Sequence, residues 1–133
     1  MYLVDTNVWL ERLLDQERAE DIRRFLDETP SERLFITDFA FHSIGAVMSK
    51  LNRMEALLRF VQDAFMDGAV ALVHLKPEDT QRIASVIKQF NLDFDDAYQY
   101  VAAEKHDLTI VSFDSDFERT ERGRKTPAEV LKP

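Results

Sequence analysis

Short β-prone runs alternate with pairs of amphipathic helical segments, and this order constrains the fold of the chain more than any other feature. Four apolar runs are predicted to be strands: Tyr2 to Val4, Leu34 to Thr37, Ala69 to Leu75 and Leu108 to Ser112. Two helical segments separate each strand from the next, so the strands need crossover connections, which produce a parallel sheet. We therefore expect an α/β fold, a three-layer α/β/α sandwich around a central, mainly parallel sheet.

Local signals predict several helix ends. Asp38 is placed to act as the N-cap of the helix after the second strand, and Asp93 or Asp95 can cap a helix before the fourth. Gly68 suits a left-handed C-cap before the third strand.

Length and composition indicate one compact domain over residues 1–133. Hydrophobic residues make up 45% of the chain, with few glycines and prolines. The absence of cysteine rules out disulfides and thiolate zinc sites. The N-terminus lacks a signal-peptide pattern and no apolar stretch is long enough to cross a bilayer, so we expect a cytoplasmic protein without a membrane partner.

The net charge of −8 argues against nucleic-acid binding through a broad basic surface. It leaves open a nuclease with a metal site, because bound cations offset clustered acids. Residues 119–125 carry a local charge of +3, which fits either a solvated loop or a phosphate-contacting patch.

Aspartates follow the predicted strands or begin the predicted helices. Asp5 follows the first strand, Asp96 lies at the start of a late helix, and Asp114 and Asp116 follow the last strand. Singly, such residues can be caps or turn residues. Together at one sheet edge they repel, by about 4 kcal/mol for a pair about 4 Å apart at an effective dielectric near 20. Mg²⁺ would offset this repulsion and would support phosphodiester hydrolysis.

Three motifs resemble the PIN-domain family, especially its VapC-like toxins. They are Tyr2-Leu3-Val4-Asp5-Thr6-Asn7-Val8, Phe94-Asp95-Asp96-Ala97 with Ala102-Ala103-Glu104, and Val111-Ser112-Phe113-Asp114-Ser115-Asp116-Phe117. The resemblance covers nearly the full length. It implies a Mg²⁺- or Mn²⁺-dependent endoribonuclease, usually a homodimer, which is neutralised by a small antitoxin protein.

The resemblance also implies roles for individual residues. Asp5, Asp96 and Asp114 would hold the metal, and Asp116 would be a ligand or support one. Asn7 and Ser112 would orient carboxylates by hydrogen bonds.

One position departs from the family pattern. The family usually has a glutamate where this chain has Ser43. Ser43 can hold a water molecule but supplies no ionised oxygen. Asp38 and His42 share a helix face and could partly compensate, although we expect a capping aspartate and a structural histidine.

Two alternatives to an active ribonuclease follow from the sequence. A degenerate PIN domain would bind RNA or a protein partner with weak or no catalysis, as Ser43 suggests. A phosphatase or receiver-like domain would also use acids at a parallel sheet edge. Phe39, Phe41, Phe60 and Phe65 fit either a dimer or antitoxin face or ordinary core packing.

Overall fold

A four-stranded, fully parallel sheet forms the centre of the molecule. The computed structural model describes residues 1–16 and 18–132. The strands are β1 (Tyr2–Val4), β2 (Leu34–Thr37), β3 (Ala71–Val73) and β4 (Thr109–Val111), in the order β3-β2-β1-β4. Tyr2 pairs with Leu34 on one side and with Thr109 on the other. The predicted α/β fold with a parallel sheet is confirmed, and the carboxyl ends of all four strands lie at one edge.

Helices cover both faces of this sheet. Within the described residues, the α-helices are α1 (Thr6–Leu13), α2 (Ala19–Glu28), α3 (Asp38–Lys50), α4 (Met54–Val61), α5 (Thr80–Phe90), α6 (Phe94–His106) and α7 (Pro127–Leu131). A π-helical turn, Gln62–Met66, extends α4, and short 3-10 helices cover Ser31–Arg33, Pro77–Asp79 and Ser115–Arg119. None of the helices in the described ranges has the length and apolar character of a membrane span.

Alternation along the strands divides the core into two clusters, because successive side chains point to opposite faces of a sheet. Leu3 and Ile110 pack with residues of α5 and α6. Val4 and Val111 pack on the other face, with residues of α1 to α4. Helices therefore lie on both sides of the sheet, as a three-layer sandwich requires.

The N-cap of α3 differs from the prediction. Thr37 is the cap, since its hydroxyl oxygen accepts a hydrogen bond from the Ala40 N–H at 2.9 Å. Asp38 is instead the first helical residue. Both residue types are good caps, and β2 extends far enough to place Thr37 at the boundary. At α6, Asp93 is the cap, as one of the two predicted alternatives.

The prediction of a left-handed Gly68 is wrong. Among the described glycines, only Gly123 has a positive φ. Gly68 is needed for a different reason: a Cβ there would lie 2.6 Å from the carbonyl oxygen of Ala64. Glycine permits this close approach of two backbone segments.

Three of the four phenylalanines considered for a dimer or antitoxin face belong to the core. Phe41, Phe60 and Phe65 are partly buried and pack against the cluster that contains Val4. The ring centroids of Phe60 and Trp9 are 5.2 Å apart. Phe39 lies elsewhere, at the wall of the pocket described next.

Candidate functional site

A pocket of about 240 Å³ opens at the carboxyl edge of the sheet. Asp5 reaches it from the end of β1, Asp96 from the first turn of α6 and Asp114 from the loop after β4. These three residues are far apart in sequence and meet because the ends of parallel strands share one edge. The remaining wall consists of Thr6, Asn7, Leu10, Phe39, Ser43, Asp95 and Gln99.

Asp5 is held by three hydrogen-bond donors. Its Oδ1 accepts from the Thr6 N–H at 2.8 Å and from the Gln99 amide at 3.0 Å, while its Oδ2 accepts from the Ser112 hydroxyl at 2.7 Å. The side chain is only 8% exposed. Burial raises the pKa of Asp5, whereas the hydrogen bonds from Ser112 and Gln99 act in the opposite direction. The donors offset the effect of burial only in part, so the pKa of Asp5 stays above its usual value.

Ser112 connects Asp5 to the loop that carries Asp114. While its hydroxyl donates to Asp5, its oxygen accepts from the Asp114 N–H at 3.0 Å and from the Asn7 amide at 3.4 Å. The Asn7 side-chain oxygen accepts from the Phe113 N–H at 3.3 Å. The predicted auxiliary residues Asn7 and Ser112 thus link the two acid-bearing loops.

Gln99 is a site residue that the sequence reasoning missed. It is 2% exposed, and its side-chain oxygen accepts from the Thr37 hydroxyl at 2.5 Å. Because the side-chain oxygen of Gln99 accepts the proton of the Thr37 hydroxyl, the amide nitrogen at the other side of the group donates to Asp5. The only sequence signal was helical spacing, since Gln99 lies three residues after Asp96 and shares its helix face.

Asp96, Asp114 and Asp116 form the densest group of acids. One carboxylate oxygen from each lies within 4.8 Å of the other two. Burial of its side chain, together with the carboxyl group of Asp114, raises the pKa of Asp96 to about 8. A proton therefore neutralises part of the repulsion in the absence of a cation.

The other predicted auxiliary residues take different positions. Ser43 lies in the pocket wall. Asp38 accepts a hydrogen bond from the Tyr98 hydroxyl at 2.8 Å and lies outside the pocket wall. His42 is exposed and lies outside the pocket wall. Of the three, Ser43 alone borders the pocket.

The arginines within residues 119–125 form ion pairs and hydrogen bonds with other parts of the protein. The Arg119 guanidinium contacts Asp116 at 2.8 Å and donates to the carbonyl oxygens of Phe90 and Asn91. Arg122 pairs with Asp107, and Arg124 pairs with Glu118 and the carbonyl oxygen of Ser112. These contacts favour neither alternative that we considered for residues 119–125, because the guanidinium groups are engaged within the protein.

Asp96, Asp114 and Asp116 could share a small divalent cation, whereas Asp5 lines the same pocket without belonging to this group of close carboxylate oxygens. All three donors are carboxylates, the ligands that Mg²⁺ and Mn²⁺ prefer. Two oxygens bound to one Mg²⁺ lie at most about 4.2 Å apart, given metal–oxygen distances near 2.1 Å. The three oxygens lie within 4.8 Å of one another, so side-chain rotations would have to bring them closer for all three to bind one ion.

The sequence profile of the PIN domain matches residues 2–123. The chain belongs to the PIN-domain family. No curated protein sequence matches it at a significant level. The resemblance drawn from the three acidic motifs is thus confirmed at the level of the family.

Several solved structures share the fold of this chain. A toxin-antitoxin complex from Klebsiella pneumoniae is similar with a TM-score of 0.76 and 19% identity, over 97% of this chain and 99% of that one. FitAcB from Neisseria gonorrhoeae is similar with a TM-score of 0.75 and 22% identity, over 96% of this chain and 98% of that one. Mycobacterium tuberculosis VapC20 is similar with a TM-score of 0.74 and 15% identity, over 89% of this chain and 93% of that one.

Asp96→Asn should change how stability depends on pH. Between about pH 4 and pH 8 the folded protein keeps a proton on Asp96 that the unfolded chain releases, so the free energy of unfolding falls as pH rises. The variant lacks this term, so its stability relative to wild type should increase as pH rises through that range. Urea denaturation of metal-free protein measures it.

Asp21→Asn is the matched control, since Asp21 is an exposed residue of α2. Its stability should follow that of wild type at every pH. A constant difference between Asp96→Asn and wild type from pH 4 to 8 would contradict the raised pKa.

Gln99→Leu should lower the free energy of unfolding by about 1–3 kcal/mol. The change leaves the buried Thr37 hydroxyl without its acceptor and removes one donor from Asp5. Gln89→Leu makes the same substitution at an exposed position of α5 and should have little effect. Equal urea midpoints for the two variants would show that the hydrogen-bond chain does not stabilise the fold.

Proposed function

We propose that the chain is a divalent-metal-dependent endoribonuclease and the toxin of a type II toxin-antitoxin pair. The convergence of Asp5, Asp96 and Asp114 on one pocket carries the proposal. PIN domains are generally ribonucleases and generally use divalent metals, and the chain belongs to this family. One structural neighbour is described as a sarcin-ricin loop cleaving toxin.

In this proposal Asp5, Asp96 and Asp114 hold Mg²⁺ or Mn²⁺, and Asp116 either joins them or supports the group. When bound, the cation supplies Lewis-acid stabilisation of the phosphoryl oxygens and lowers the pKa of a coordinated water molecule. Asp5 is fixed in position by Ser112, Gln99 and the Thr6 N–H. Asp116 is oriented by the Arg119 guanidinium. The protein thus contributes a preorganised set of oxygen ligands beside the scissile phosphate.

The partners in this proposal are an RNA substrate, a second copy of the chain and a small antitoxin, all in the cytoplasm. A structural neighbour described as a toxin-antitoxin complex supports the antitoxin. The net charge of −8 suits a nuclease whose substrate contact depends on bound cations.

Asp5→Asn and Asp96→Asn should each reduce RNA cleavage by roughly 100-fold or more, since even the partners behind metal ligands contribute about 10- to 100-fold. Cleavage of single-stranded and structured RNA with Mg²⁺ or Mn²⁺ measures this effect. Asp21→Asn removes an exposed acid that is not part of the pocket wall and should cleave like wild type. Cleavage that survives chelation, or equal rates for all variants, would overturn the assignment.

The second candidate is a degenerate PIN domain that binds RNA or a protein. Ser43 in the pocket wall favours it, because a hydroxyl stands where the family usually has a carboxylate. Such a site retains its fold and its remaining acids but holds a cation less strongly.

Ser43→Glu should raise the rate of RNA cleavage, because it adds an ionised oxygen ligand to the wall that faces the other acids. Ser49→Glu is the control, since it makes the same change at an exposed position of the same helix. A gain limited to Ser43→Glu supports a weakened nuclease site. Tight RNA binding without turnover in wild type and Ser43→Glu would support the binding module instead.

A further inference from the structure

Three aromatic rings form a row that begins at the wall of the acidic pocket. We call Phe39, Tyr98 and Phe94 the aromatic shelf. The ring centroids of Phe39 and Tyr98 are 5.9 Å apart, and those of Tyr98 and Phe94 are 6.3 Å apart. Phe39 lines the pocket itself. Phe94 directly precedes Asp95 and Asp96, which also line the pocket.

The central ring of the shelf is held in place. The Tyr98 hydroxyl donates to Asp38 at 2.8 Å and accepts from the Leu75 N–H at 3.0 Å. Tyr98 is partly buried, whereas Phe94 at the outer end is 52% exposed. The shelf is therefore anchored by hydrogen bonds at its central ring and exposed at its outer ring.

Exposure alone does not single out Phe94. Leu58 is 65% exposed, and scattered apolar side chains are common on protein surfaces. What distinguishes Phe94 is its continuity, through two further rings, with a pocket of convergent carboxylates. A single-stranded nucleic acid entering that pocket would pass its neighbouring bases along this surface.

The charges around the shelf favour a base over a phosphate as its occupant. Asp93 and Asp95 flank Phe94 and would repel an approaching phosphate. Arg119, Arg122 and Arg124 are engaged by carboxylates within the protein. Stacking on an aromatic ring needs no positive charge and accepts any base.

We propose that the aromatic shelf stacks an unpaired nucleobase next to the scissile phosphate of the RNA. The inference rests on the proposed ribonuclease function and adds the source of substrate affinity. It requires that the RNA be single-stranded at the cleavage site, because a paired base cannot present its face to Phe94.

Phe94→Ala should raise the KM for a fluorescein-labelled single-stranded oligoribonucleotide by about fivefold or more, with kcat little changed, because stacking contributes mainly to binding. Phe94→Tyr retains the ring and should behave like wild type. Leu58→Ala removes an exposed apolar side chain of α4 and serves as the control for a general surface effect. Unchanged KM in Phe94→Ala would overturn the proposal.

Oligoribonucleotides with a single abasic position identify the stacked base. At one position beside the cleavage site, removal of the base should weaken binding to the wild-type protein by the same factor as Phe94→Ala weakens binding of the intact oligoribonucleotide. Removal of that base should not weaken binding to Phe94→Ala any further. Effects that multiply at every position would overturn the proposal. So would an altered association state of Phe94→Ala in size-exclusion chromatography with an unaltered KM, which would indicate a protein on the shelf.

The test separates the stacking proposal from the nuclease proposal. Binding of the same oligoribonucleotide, followed by fluorescence anisotropy in the presence of a chelator, does not depend on cleavage. If the protein shows no nuclease activity but its RNA binding requires Phe94, the stacking proposal is supported and the nuclease proposal is refuted. Metal-dependent cleavage that is indifferent to Phe94 would do the reverse.

Discussion

The buried carboxylate of Asp5 is the interaction on which the rest of the site depends. A buried polar group is costly unless it is hydrogen-bonded, and here the donors come from the start of α1, from α6 and from the loop after β4. Through Gln99 and Thr37 the same chain of hydrogen bonds reaches the N-cap of α3. The hydrogen bonds of Asp5 therefore connect the elements around the pocket, and the same hydrogen bonds fix the orientation of the Asp5 side chain.

Burial and the proximity of other acids explain the electrostatics of this edge. Burial of Asp96, together with the neighbouring carboxyl group of Asp114, raises the pKa of Asp96 to about 8. A divalent cation would replace the Asp96 proton, so metal binding and proton release are linked. The nearby guanidinium of Arg119 pairs with Asp116 and with backbone carbonyls. The Arg119 side chain is thus engaged within the protein, and in the proposed ribonuclease the cation and the aromatic shelf would contact the substrate.

Sequence reasoning succeeded where local patterns decide structure. β1 and β2 lie within the predicted residues, and the parallel arrangement followed from the intervening helices. It failed where two residues compete for one local role, as with Thr37 and Asp38 at the start of α3. It also misjudged Gly68, whose role depends on the backbone of Ala64 packing against it rather than on its own φ.

The sequence by itself determined the order of strands and helices and the placement of aspartates at strand ends, because hydrophobic periodicity and turn chemistry act over a few residues. Only the tertiary structure decided which neutral groups face those acids. Gln99 and Thr37 are 62 residues apart, and no local pattern predicts that their side chains meet beside Asp5. The same holds for the pKa of Asp96 and for the engaged arginines, since both depend on distances that exist only once helices and sheet have packed.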